Sequence, residues 1–189
     1  MIGSPVNLVP KATILDATEM ARVLRRMSLE IAEAHRGTED LMLIGIRTRG
    51  VPMAEALARD FERLEGEHPP IGTLDITLYR DDLSLVAPKP LVKASNFPES
   101  IEGKIVVLCD DVLFTGRTVR AALDALLDFG RPKAVRLAVL VDRGWRELPI
   151  HADFVGRKVP TSASEVIKVS FEATDGVSKV QILDRPADA

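Results

Sequence analysis

Only one cysteine, Cys109, occurs in the 189 residues, so no disulfide can form within the chain. It sits in an apolar run, where it reads as a small buried filler rather than a catalytic thiol. No apolar run approaches the ~20 residues that span a bilayer. Met1 to Lys11 lacks the basic start, long apolar core and small-residue cleavage site of an export signal. A reducing, cytoplasmic setting is therefore expected, with no membrane partner. There is no excess of positive charge either: the formal net charge is −3, which argues against bulk attraction to nucleic acid and leaves room only for a local basic face. The three histidines, His35, His68 and His151, are scattered without ligand spacing, which speaks against a histidine metal site. Neither G-x-x-x-x-G-K-[ST] nor G-x-G-x-x-G occurs, which excludes the nucleoside-triphosphate loop and the dinucleotide fingerprint. There is no internal repeat and no low-complexity segment. The length predicts one domain over 1–189, with 1–11 a flexible N-terminus.

What is present is concentrated in Ile105-Val-Val-Leu-Cys-Asp-Asp-Val-Leu-Phe-Thr-Gly-Arg-Thr118. Ile105 to Cys109 is short, largely β-branched and unalternated, as a strand buried on both faces of a parallel sheet should be. Two acids follow, then a small turn with glycine that opens a helix predicted over 117–129. In open α/β sheets ligands sit at such strand ends. Gly116 lets backbone approach an anion, Thr115 and Thr118 add hydroxyls, and the first N–H groups of the helix point at the same place. A phosphate fits there. Asp110 and Asp111 would repel a phosphate, but they can accept from ribose hydroxyls and hold a hydrated Mg²⁺.

Along the rest of the chain, Asp16-Ala-Thr-Glu19 has capping-box spacing ahead of Met20, Val23, Leu24, Met27 and Ile31, predicting a helix over 17–35. Leu41 to Ile46 reads as a strand, Arg47-Thr-Arg-Gly50 as a turn, and Pro52 as the first turn of a helix carrying Leu57, Ala58, Phe61 and Leu64. Ile71 to Tyr79 alternates as a strand, and 80–90 reads as a long charged loop able to close over a site. Val135 to Val141 completes a β-α-β unit, and short strands near 166–171 and 179–183 finish the sheet or cap it. The Arg47 to Gly50 turn should share the carboxyl edge with Asp110. Two cations, a hydroxyl and a glycine suit a diphosphate.

Five segments together resemble the PyrR family: Gly45-Ile-Arg-Thr-Arg-Gly50, Leu74-Asp-Ile-Thr-Leu-Tyr-Arg-Asp-Asp-Leu83, Asp110 to Arg120, Leu137-Ala-Val-Leu-Val-Asp-Arg-Gly144, and Arg146-Glu-Leu-Pro149 with Val159-Pro-Thr-Ser162. The similarity runs from about Ile14 to Val180. It implies a single-domain type I phosphoribosyltransferase fold of the α/β class, with a central, mostly parallel sheet flanked by helices and a small cap over the site. It also implies uracil phosphoribosyltransferase activity, with phosphoribosyl diphosphate (PRPP) and uracil as substrates, UMP as product and Mg²⁺ as cofactor, ordered through Asp110 and Asp111. By position, Thr48, Arg49, Gly50 and Arg80 would meet the diphosphate, and Asp110 and Asp111 the ribose. Val112, Leu113, Phe114, Thr115, Gly116, Arg117 and Thr118 would line the phosphoribosyl site, with Phe114 to Thr118 wrapping the 5′-phosphate. Arg143 and Ile167 would recognise the pyrimidine, in part through main-chain atoms. Purine-using relatives carry a proton-accepting aspartate where this chain has Phe114, which implies a pyrimidine substrate.

The resemblance further implies binding of pyrimidine operon leader mRNA in response to UMP or UTP, by a homodimer or higher homo-oligomer. Arg22, Arg25 and Arg26, with Arg36, would form the basic face on the first helix. The family commonly has histidines where this chain has Leu29 and Trp145. A salvage uracil phosphoribosyltransferase without RNA binding, or a non-catalytic nucleotide sensor, are the alternatives.

Overall fold

The computed structural model describes residues 8–81 and 94–185. Most of the 80–90 loop, and residues 1–7 of the N-terminal segment expected to be flexible, lie outside them. Five parallel strands form the central sheet in the order β3-β2-β4-β5-β6. They are β2 (Leu41–Ile46), β3 (Ile71–Leu74), β4 (Ile105–Leu113), β5 (Ala134–Asp142) and β6 (Phe154–Lys158). A separate antiparallel sheet joins β1 (Val9–Leu15), β8 (Lys179–Asp184) and β7 (Glu165–Ser170) in that order. This is the cap.

The central strands lack alternation because both faces are covered. Leu41 and Leu43 of β2, with Val107 and Cys109 of β4, join an apolar cluster with α1 (Ala17–His35) and α2 (Gly50–Glu65). Met42, Ile44, Val106 and Leu108 point the other way, into a cluster with α3 (Arg117–Leu127). Cys109 is wholly buried, and burial pushes its thiol pKa upward, which suits a filler and not a nucleophile.

α1 begins where its capping box predicts: the Glu19 N–H donates to Asp16 Oδ1 at 2.8 Å, and the Asp16 N–H to Glu19 Oε2 at 3.0 Å. Met20, Leu24, Met27 and Ile31 are buried at helical spacing. Arg36 ends α1 in the left-handed region at φ 56°, so it leaves the helix and does not extend the arginine face. α2 begins at Gly50, ahead of Pro52, and buries Met53, Leu57 and Phe61.

Several expectations are corrected. A strand begins at Val9, inside the segment expected to be flexible, because its N–H and C=O groups pair with β8 from Asp184 to Val180. The strand expected over 71–79 stops at Leu74, and Thr77–Tyr79 forms a 3-10 turn. That turn is fixed by Asp75, whose Oδ1 accepts the Thr77 N–H at 2.8 Å. β6 is not foreseen at all, since five residues with a central glycine carry little periodic signal. Gly156 is there because a Cβ would stand 2.4 Å from the Leu140 carbonyl and 2.8 Å from Val23 on α1. Gly156→Ala should therefore force β6 from β5 or from α1, at a cost of about 1–3 kcal/mol. The urea midpoint should fall with the slope unchanged; an unaltered midpoint would show that this contact yields freely.

Candidate active site

Strand order reverses between β2 and β4: the chain moves outward from β2 to β3 on one side and from β4 through β5 to β6 on the other. A crevice opens at such a point, outside the carboxyl ends of the strands. Gly50 closes its floor. A Cβ at that position would lie 2.1 Å from the Cys109 carbonyl oxygen, so only glycine lets the Arg47 to Arg49 turn press on β4. The turn and the two acids therefore share one edge, as the sequence predicts. Thr48 is exposed in the turn. The Nε atoms of Arg47 and Arg49 are buried with no acceptor among the described residues, an unmet demand that an anionic ligand would satisfy. Arg49 is also held by Asp175, 2.9 Å from its Nη2, a support from the connection between cap strands β7 and β8 that carries no local sequence signal.

β4 continues through both acids to Leu113, with Asp110 opposite Val139 and Val112 opposite Val141. The expected strand ended at Cys109. This longer strand matters because it fixes Asp110 and Asp111 as part of the sheet instead of leaving them in a solvated turn. Asp110 is buried and its Oδ1 accepts the Asp111 N–H at 3.0 Å. Burial, reinforced by the neighbouring Asp111 charge, holds Asp110 well above the usual carboxylate range. Burial raises Asp111 too, against the opposing pull of the Arg49 guanidinium. Two carboxylates short of counter-charge are a hard-oxygen donor set that fits a divalent cation. Among the described residues no three His, Cys, Asp or Glu side chains gather at one point, so a cation here would take most of its ligands from substrate and water.

The turn after β4 lines a cavity of about 320 Å³ to which Val112 through Val119 contribute, with Arg80 and Glu147. Gly116 is the N-cap of α3 at φ 93° and has no side chain to cap the helix; the Arg117 N–H donates to Thr115 Oγ1 at 3.3 Å, and the N–H groups that follow are left for the cavity's contents. Arg80 thus stands over the phosphate turn, and its charge reaches Asp110. Arg117, by contrast, is engaged at the rim, 2.7 Å from Glu147 and 2.9 Å from Asp81. The turn is braced by residues whose role sequence reading missed. Arg146 donates to the Phe114 carbonyl at 2.8 Å and pairs with Asp142 at 2.6 Å. The N–H groups of Glu147 and Leu148 donate to the Thr115 carbonyl. The i,i+4 spacing of Asp142 and Arg146 was the available signal.

The pyrimidine candidates separate. Arg143 is buried, with its guanidinium 4.0 Å from the Phe114 ring centroid, and it donates to Thr161 Oγ1 and the Ser162 carbonyl. It joins the site. Ile167 is 7 % exposed, with its side chain in the apolar cluster beneath the cap sheet, so its side chain does not join the crevice. The three arginines of α1 also divide. Arg22 and Arg25 line a groove of about 640 Å³ between α1 and α2, which shares no residue with the β4 turn. They make no hydrogen bond or ion pair among the described residues. Arg26 leans over β6 and donates to the Val155 and Gly156 carbonyls.

The chain matches the phosphoribosyl transferase domain over residues 11–174. It is 56 % identical to the bifunctional protein PyrR of Thermus thermophilus over 175 residues, 93 % of this chain and 97 % of that one. The PyrR of Deinococcus deserti is 57 % identical, over 93 % and 96 % of the two chains. The chain belongs to the PyrR family. Among solved structures, the hypoxanthine phosphoribosyltransferase of Trypanosoma cruzi aligns with a TM-score of 0.70 at 16 % identity, covering 93 % of this chain and 98 % of that one. A hypoxanthine-guanine phosphoribosyltransferase from Bacillus anthracis aligns with a TM-score of 0.69 at 17 % identity, covering 94 % and 99 %. At such identities the likeness concerns the fold: PyrR shares the phosphoribosyltransferase architecture, with its five parallel strands and cap. Among the described residues no helix is long and apolar enough to cross a membrane.

The buried acid pair also governs how stability depends on pH. Both carboxyls have a raised proton affinity when folded, so between the ordinary value of 3.8 and the raised one the native state binds more protons than the unfolded state. Stability contributed by this pair therefore falls as pH rises through that interval. Asp110→Asn with Asp111→Asn keeps shape and removes the buried charge. Its Tm near neutral pH should rise by a few degrees, about 2–4 °C per kcal/mol for a chain of this size, and its dependence on pH should flatten. Calorimetry from about pH 5 to 8 decides, and a Tm lowered at every pH would refute the electrostatic account.

Proposed function

We propose that this protein is a PyrR regulator of pyrimidine biosynthesis that binds operon leader mRNA in response to uridine nucleotides and transfers phosphoribosyl from PRPP to uracil, giving UMP and diphosphate. The observation that carries the reading is one crevice flanked by the Gly50 turn, the buried Asp110-Asp111 pair and the uncapped start of α3, in a chain more than half identical to proteins named bifunctional PyrR.

In the enzymatic reaction the bond from C1′ to the diphosphate oxygen breaks, a bond from C1′ to a uracil nitrogen forms, and the proton of that nitrogen passes to solvent. The α3 N–H groups with Thr115 and Thr118 hold the 5′-phosphate, and Asp110 and Asp111 accept from the ribose hydroxyls. Arg49 and the Thr48 to Gly50 backbone hold the diphosphate, and Arg80 approaches it from above the turn. Mg²⁺, when bound near Asp110 and Asp111, neutralises charge on the departing diphosphate. No general base is assigned; positioning and charge stabilisation of the leaving group supply the acceleration. Phe114 bears no proton acceptor, and the Arg143 guanidinium already covers its ring. A neutral pyrimidine is preferred over a purine, with the Ile167 main chain available to its polar edge. UMP formation from uracil should require Mg²⁺ and should drop by on the order of 10²–10³ in Asp110→Asn with Asp111→Asn. Hypoxanthine and guanine should react poorly. Efficient purine transfer, or full activity in excess chelator, would reject this assignment.

Arg22 and Arg25 offer guanidinium groups without partners among the described residues, while Arg26, paired with Glu30, lies over β6. Their contacts would be to phosphate, so affinity for the leader hairpin should fall steeply with salt. Each Arg22→Ala or Arg25→Ala change should make the log–log slope shallower by about one. UMP should tighten RNA binding, and RNA should tighten UMP binding by the same factor. The reading of a salvage enzyme without RNA rests on Leu29, 48 % exposed in the middle of this face. Identical salt slopes in parent and variants would favour it.

A further inference from the structure

Tryptophan occurs once in the chain, at position 145, and 53 % of it is exposed. Two features distinguish it from an incidental surface aromatic. Its backbone lies in the left-handed region at φ 60°, which a bulky residue seldom adopts. Its indole N–H donates to the Thr161 carbonyl at 2.7 Å. That bond satisfies the ring's single donor and fixes the ring's direction, so what Trp145 offers to a partner is an immobilised π face.

The ring borders an open cleft of about 370 Å³, whose other walls include Lys158 and Pro160 after β6 and Asp142 and Arg143 at the end of β5. Asp142 is the one acid in that lining, and it is neutralised: Arg146 Nη2 lies 2.6 Å away, and the Gly144 N–H donates to it at 3.0 Å. Arg143 is turned toward Phe114. Lys158 is thus the cation presented at the cleft. Two residues earlier on the same strand, the Gly156 carbonyl accepts from Arg26. Arg26 is itself paired with Glu30 at 2.5 Å, so the cationic strip along the end of β6 rests on exposed Arg157, which also donates to the Ile14 carbonyl, and on Lys158 beside the tryptophan.

A fixed aromatic face at the end of a cationic strip matches one polymer chemistry: a phosphate backbone whose base is free of its stack. A paired base has both faces covered, so a duplex stem cannot use the ring, whereas a loop or bulge nucleotide can. We infer that Trp145 is the stacking platform for an unpaired base of the bound RNA, with Lys158 on the adjoining phosphate. This rests on the RNA-binding reading above and extends it from phosphate contacts to recognition of a single-stranded nucleotide.

Because Trp145 is the only tryptophan, its fluorescence reports this site alone. The full chain is titrated with three probes: the leader hairpin, the fully paired duplex of its stem, and UMP. Quenching by the hairpin and by neither of the others is expected. Trp145→Ala should weaken hairpin binding roughly 5- to 150-fold at every salt concentration while leaving the salt slope at the parent's value, because stacking releases no counterions. Trp145→Phe should retain most of the affinity and guards against a merely unfolded alanine variant, as does thermal unfolding of both. If the parent binds the hairpin yet its emission is unchanged and Trp145→Phe and Trp145→Ala bind alike, the stacking role is overturned while RNA binding stands. Equal quenching by UMP would also overturn it, in favour of a mononucleotide site. A parent that binds no hairpin removes the RNA reading and this inference together.

Discussion

Two carboxylates are held side by side at the end of a strand buried on both faces, and much of the site is arranged around that unfavourable charge. Asp110 and Asp111 cannot relax into solvent, because β4 keeps its register with β5 beyond them, to Leu113. Their counter-charges are few: Arg49 acts on Asp111 and Arg80 on Asp110. The folded chain alone thus stores electrostatic cost at the place where a cation and a sugar would relieve it. Catalytic groups are commonly kept in this condition, because charge that is poorly satisfied before binding is well placed to act on what binds.

The crevice needs a second constraint. The Arg47 to Gly50 turn approaches β4 more closely than any side chain permits, and Gly50 achieves this against the Cys109 carbonyl. The same economy recurs at Gly116, where a positive φ turns the chain from β4 into α3 and leaves the helix N-terminus uncapped. In the proposed reading, anions would meet backbone at both turns, with Arg49 and Arg80 adding charge, and the two acids would be left to deal with sugar and metal. The bracing of this turn comes from elsewhere in the chain: Arg146, tied to Asp142, holds the Phe114 carbonyl.

Much of this was legible in the sequence, and the reasons are specific. The unalternated runs Leu41–Ile46 and Ile105–Cys109 announced strands covered on both faces, and the capping box fixed the start of α1 to the residue. The placement of the two turns at one sheet edge was legible because close approach demands glycine and because the two acids follow an apolar run of strand length. What escaped notice has little local signal. β1 carries a proline and is exposed along most of its length; β6 is five residues around a glycine, paired with β5 on one side only. Both are strands by virtue of a distant partner. The burial of Ile167 and the ion pair of Arg49 with Asp175 depend on how the cap packs, which no window of sequence contains.

The division of the α1 arginines has a consequence for how two functions share one small chain. Arg26 spends its guanidinium on β6 carbonyls and on Glu30, tying the helix to the edge of the central sheet, while among the described residues Arg22 and Arg25 remain without partners beside a groove that shares no residue with the β4 turn. β6 continues from that anchor to Lys158, and Trp145 stands beside it, one residue beyond Gly144 and two beyond Arg143, whose guanidinium lies on Phe114. The segment Asp142 to Arg146 therefore touches both the phosphate turn and the cationic strip. Phe114 meets this segment at Arg143, whose guanidinium lies 4.0 Å from its ring centroid. The two faces are thus joined by five consecutive residues, held at both ends by the Asp142–Arg146 pair.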